Sequence, residues 1–179
     1  MLTGAYQGFF TVIAGASAAL TGLLFVALSV TSRSRLASYP TVIREVRAAA
    51  SLLAFTDALT VSLYSLVPGT NTGYPALVTG VIGLMFTAAG LRSIIASPET
   101  TASQVRRQIS LIAALLVAFG FEATGGIQLI AHPTSTGGAQ IVSFVLAGLV
   151  LMGIARAWEL VSDRDTGIFA SIAVLAGHD

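Results

Sequence analysis

The stretch GFFTVIAGASAALTGLLFVALSV, residues 8–30, contains no charged side chain. A helix needs about 20 mostly apolar residues to cross roughly 30 Å of hydrocarbon. This segment is therefore long enough to span a bilayer alone, and the rest of the chain agrees with it. Of 179 residues, 55% are hydrophobic and only 9% charged. Soluble domains carry about 25% charged residues. A soluble fold of this size could not hide so much apolar side chain and still present a charged surface. Hydrocarbon around the protein removes that conflict.

Residues 8–30 could be mistaken for a secretory signal, since they contain the small triplet Ala16-Ser17-Ala18. No positive charge precedes them, however, and the apolar run continues to Val30. A signal peptide has a basic start and a shorter apolar region, so the segment reads as a retained span.

Four more segments qualify. Together the spans cover about 8–31, 48–67, 74–96, 108–131 and 138–161. The second stops at Pro68-Gly69, the third before Pro98 and the fourth before Pro133, all strong helix breakers. The expectation is an all-α membrane bundle of five transmembrane helices, one domain over residues 1–179.

Arginine placement tests the count independently. All 9 basic residues are arginine. Arg33, Arg35, Arg44 and Arg47 lie between spans one and two; Arg92, Arg106 and Arg107 lie around the end of span three and the loop after it. Arg156 and Arg164 lie at the end of span five and beyond, while the N-terminus and the loops at 68–73 and 132–137 have none. Basic residues are retained on the cytoplasmic side. The pattern predicts N-terminus out and C-terminus in. The apolar tail from Gly167 is too short to cross and is expected along the inner interface.

Span one carries a stripe. Gly8, Gly15, Gly22 and Ser29 are seven apart, and Thr11, Ala18 and Phe25 follow the first three by three residues. All are small except Phe25. Lipid supplies no hydrophobic force between helices, so small residues that let backbones approach mark packing faces. A sustained 3.5-residue period implies a left-handed, small-angle crossing. Two readings follow. The stripe seats span one in its own bundle, or it packs against copies of itself and lines a pore with Phe25 as an apolar constriction.

GASAALTGLLFVALSV, residues 15–30, followed by an Arg-containing loop and Pro40, resembles the opening of a family of small bacterial multi-pass membrane proteins. The likeness covers about a fifth of the chain and implies membrane class alone, with no activity. A fainter similarity, to the pore helix of Orai calcium channels, rests on the same small residues. Span one has no acidic residue at its outer mouth, which counts against a calcium filter.

Two carboxylates lie inside spans. Asp57, in LLAFTDALTVSLY, residues 52–64, sits roughly 14 Å deep at 1.5 Å per residue. An aspartate there costs roughly 2.5–3.5 kcal/mol to insert. Thr60 and Tyr64, at i+3 and i+7, are expected to share its face. Glu122 sits about 21 Å from the inner end of span four. Its helical neighbours Ala118, Gly125 and Gly126 are small and leave room for another helix or for water. Three readings stay open: the acids are protonated or hydrogen-bonded packing elements; they pair with Arg92 or Arg156, whose long side chains could reach inward; or they line a proton or cation path.

Other chemistries find no support. The sequence has no cysteine, no HExxH, no GxSxG and no phosphate loop. His132 and His178 are not convincing ligands, and the arginines are too few for nucleic acid. No cofactor, metal or enzyme activity is expected. The expected function is an oligomeric channel or channel-like protein for protons or small cations, its partners being lipid and copies of itself. The alternative is a non-transporting scaffold, assembly factor or regulator.

Overall fold

The computed structural model describes residues 4–30, 41–96, 102–134 and 136–161. Five helices account for almost all of them: α1 (Gly4–Val30), α2 (Thr41–Leu66), α3 (Gly73–Ala96), α4 (Ala102–Ala131) and α5 (Thr136–Val161). Each holds a stretch long and apolar enough to cross a membrane: Tyr6–Ser29, Ala48–Leu66, Gly73–Ser93, Ile112–Ala131 and Thr136–Trp158. The expected tail at 162–179, and Arg33, Arg35, Arg164 and His178, lie outside the described residues.

Two helices begin well before the apolar runs that announce them, by seven residues in α2 and six in α4. α2 starts at Thr41 instead of 48, and α4 at Ala102 instead of 108. The added turns, TVIREVR and ASQVRR, hold good helix formers such as Arg, Glu and Gln. A hydropathy criterion stops at the first charge, whereas backbone hydrogen bonding does not.

The breaker pair Pro68-Gly69 works as a turn. Thr70 N–H donates to Val67 C=O at 3.2 Å, and Gly69 takes φ 81°. Proline before a positive-φ glycine is the type II arrangement. Asn71 then ties the turn down, donating from Nδ2 to Leu129 C=O at 2.9 Å and accepting Gly73 N–H on Oδ1 at 2.9 Å. The 67–72 connection and the C-terminal end of α4 therefore share one end of the bundle, the loop end. Arg92 and Arg156, near the C-termini of α3 and α5, mark the other, the arginine end.

α3 and α4 form the tightest pair in the molecule, running antiparallel. A β-carbon on Gly73 would lie 2.6 Å from Gly126 C=O, and one on Gly126 would lie 2.7 Å from Leu77 N. At Gly80 the nearest atom is Ala123 N at 3.0 Å, and at Gly83 it is the ring of Phe119. Glycine at these positions lets the two backbones touch, the contact that lipid-embedded helices rely on. α4 also packs on α5, α5 on α2, and α2 on α3, closing a ring of four; α1 lies outside it against α2 and α5.

Two apolar clusters fill the ring. Phe10, Val61, Ala76, Leu129 and Val142, toward the loop end, belong to one, which continues along α5 through Leu146 to Val150; toward the arginine end of α2 and α4, Ala54, Leu115 and Phe119 form the other with Leu149 of α5. Asp57, Thr79 and Glu122 fall between these clusters along α2, α3 and α4.

Candidate functional site

The two intramembrane acids meet. Asp57 is 4% exposed and Glu122 0%. Although they are far apart in sequence, their carboxyls lie beside each other, with the Thr79 hydroxyl next to both. The glycine seam between α3 and α4 draws the two helices together at this level, where Thr79 Oγ1 lies 3.0 Å from Glu122 Oε1. Thr79 Oγ1 also lies 2.9 Å from the Pro75 carbonyl of its own helix.

The cluster is poorly satisfied. Both oxygens of Asp57 and Oε2 of Glu122 are buried without a hydrogen-bond partner, as are Ser62 Oγ and Thr72 Oγ1 on the loop side of the pair. Buried polar groups nearly always find partners, and a membrane interior offers no water by default. Three unmet carboxyl oxygens in one place therefore call for something to meet them.

The remaining candidates fall elsewhere. Thr60 is half-buried and donates back to Thr56 C=O at 2.7 Å, and Tyr64 is 56% exposed. The buried face of α2 carries Ser51, Ala54, Ala58, Val61, Ser62 and Ser65. At about 100° per residue, Asp57 sits at one edge of that face, and Thr60 and Tyr64 lie beyond the edge. The expected line of oxygens along α2 is not what surrounds Asp57; its neighbours come from other helices.

The space expected beside Glu122 is occupied by helices. Gly126 meets α3, and a β-carbon on Gly125 would lie 3.0 Å from Ile141 and Val142 of α5. Arg92 is exposed near the end of α3 and Arg156 is half-buried near the end of α5. Gly153 meets the ring of Phe55, so Arg156 stands beyond the level of Asp57 toward the arginine end. The groups that bear on the two carboxyls are Thr79 and each other.

The stripe of α1 faces away from the bundle. Gly8, Thr11, Gly15, Ala18, Gly22, Phe25 and Ser29 are all exposed. A β-carbon on Gly8, Gly15 or Gly22 would meet nothing within 4 Å. This overturns the reading that seats the stripe in the chain's own bundle. α1 instead buries Phe10, Ile13, Ala14, Ser17 and Leu24, a face with more side-chain atoms and so more dispersion contact.

Thr79 is the residue that sequence reasoning missed. A threonine in a span is ordinary. The available signal was its setting in GYPALVTGVIG, residues 73–83, where Gly73 and Gly80 are seven apart and Gly83 follows by three. That is the same spacing as the stripe of span one. No family model, curated protein or solved structure matches this chain.

Proposed function

We propose that the protein sits in a bacterial inner membrane, N-terminus out and C-terminus in, and passes protons or small cations through a site at Asp57 and Glu122. One observation carries this reading. Two carboxyls from different helices converge in a buried layer, and three of their four oxygens have no hydrogen-bond partner. Ionisable residues within spans commonly mark ion pathways, and a positively charged passenger is what such oxygens lack. The apolar clusters on either side would keep water from running freely past the site. The buried, unpartnered hydroxyls of Ser62 and Thr72 lie toward the loop end and suit access from there.

The test is flux in proteoliposomes. Wild-type protein should carry protons, sodium or potassium above empty vesicles, and Asp57→Asn and Glu122→Gln should each bring the rate to background while the protein stays folded. Equal flux in wild type and both variants would end the proposal.

The outward stripe of α1 favours assembly with further copies, and it equally suits the second reading, a scaffold that binds another membrane protein. Gly15→Leu combined with Gly22→Leu should leave the bundle's stability within about 0.5 kcal/mol, as for substitutions away from packed features. If the stripe joins copies, light scattering in mild detergent should show wild-type oligomers falling to monomers in this variant. An unchanged mass would remove α1 as the interface.

A further inference from the structure

The contacts of Thr79 bear on what the site holds. Its hydroxyl has one hydrogen, yet Oγ1 lies 2.9 Å from Pro75 C=O and 3.0 Å from Glu122 Oε1. A carbonyl only accepts, and so does an ionised carboxylate. Both contacts can be full two-centre hydrogen bonds together only if a second hydrogen is present, and Glu122 is the group that can bring it. Glu122 O–H then donates to Thr79 Oγ1, and Thr79 O–H donates to Pro75 C=O.

A metal ion is a poorer occupant. Calcium and magnesium take about six or more oxygens, zinc about four ligands, mostly from histidine and cysteine, and potassium filters replace the hydration shell with rings of free carbonyls. Here the backbone around the site belongs to the continuous helices α2, α3, α4 and α5, whose interior carbonyls already accept within their helices. Only two carboxyls and one hydroxyl remain. A proton needs no shell.

We infer that the passenger of this site is a proton, held on Glu122 against Thr79 and exchanged with Asp57, whose two oxygens are buried without a hydrogen-bond partner beside Thr79 and Glu122. The transfer is Glu122–COOH plus Asp57–COO⁻ giving Glu122–COO⁻ plus Asp57–COOH, one proton moved and no electrons. When Glu122 loses its proton, the Thr79 hydroxyl turns from Pro75 C=O to Glu122 Oε1. Thr79 is thus a positioning residue with a good bond in either state. Among residues whose side chains are described, the other titratable groups on the helices lie toward the ends: Tyr6 on α1, Tyr64 on α2, Tyr74 and Arg92 on α3, and Arg156 on α5.

The route across the membrane rests on the transport reading above; the proton's residence on Glu122 does not, and infrared spectroscopy tests it separately. The full chain in lipid nanodiscs should show a carboxylic C=O band that Glu122→Gln removes, Thr79→Val shifts to higher frequency, and Thr79→Ser restores. Sodium or potassium should leave it unchanged. A wild-type spectrum without that band at any pH the fold survives, a band indifferent to Glu122→Gln, or a band displaced by sodium or potassium overturns the inference. In proteoliposomes, proton flux should fall about 10- to 100-fold in Thr79→Val, the size of one lost hydrogen bond to a charged group, and recover in Thr79→Ser. The band without any flux keeps the proton on Glu122 and removes transport. Sodium or potassium flux that needs both acids keeps transport and removes the proton.

Discussion

Gly126→Val is expected to cost the folded protein about 3 kcal/mol or more, at the upper end of what overpacking costs. The added β-carbon would lie 2.7 Å from Leu77 N and 2.9 Å from Gly73 C=O. Both are backbone atoms, which cannot swing aside as a side-chain tip can. The α3 and α4 axes would have to part. Because Gly73 and Gly80 touch α4 in the same way, separation at one point loosens the whole seam. It would also draw Thr79 away from Glu122, so the loss of stability should come with loss of the Thr79-dependent infrared shift. Unfolding in detergent, followed by circular dichroism against denaturant, measures it. Gly15→Val is the control: its β-carbon meets nothing within 4 Å, and the midpoint should hardly move. Equal losses in the two variants would mean that the α3–α4 contact is not the one described.

Phe119→Ala should be nearly as costly. Phe119 is 0% exposed and its ring rests on Gly83, inside the cluster that closes the arginine end beneath the acids. Truncating a buried phenylalanine costs about 3–5 kcal/mol in packed cores. In lipid the loss is chiefly of dispersion contacts. The pairing with Gly83 makes the prediction sharper. Gly83→Leu alone drives a side chain into the ring and should also destabilise. Gly83→Leu on the Phe119→Ala background puts volume back where it was removed, so the double variant should be more stable than the sum of the two changes by about 0.5–3 kcal/mol, the range for residues in contact. Strict additivity would show that the two positions do not touch.

Much of the architecture could be read in the residue order. Helix ends followed Pro68-Gly69, Pro98 and Pro133, because a breaker acts on its own backbone. Asp57 and Glu122 stood out as costly residues, because insertion cost depends mainly on depth. The partners of those acids could not be read. Thr60 and Tyr64 had the right spacing, yet the buried arc of α2 is set by which helices flank it. Thr79 came from another helix altogether, brought in by glycines whose spacing was visible but whose partner was not.

The order of residues by itself determined five helices long and apolar enough to cross a bilayer, with the arginines of the described helices gathered at one end. Length, hydropathy and charge are local quantities that need no knowledge of neighbours. Tertiary structure alone decided between two glycine stripes of the same period: the one in α3 is buried against α4, and the one in α1 faces outward. Periodicity states which face a helix can offer for close approach. What approaches it depends on competition among all five helices for contact, and that competition brought two carboxyls and one hydroxyl together.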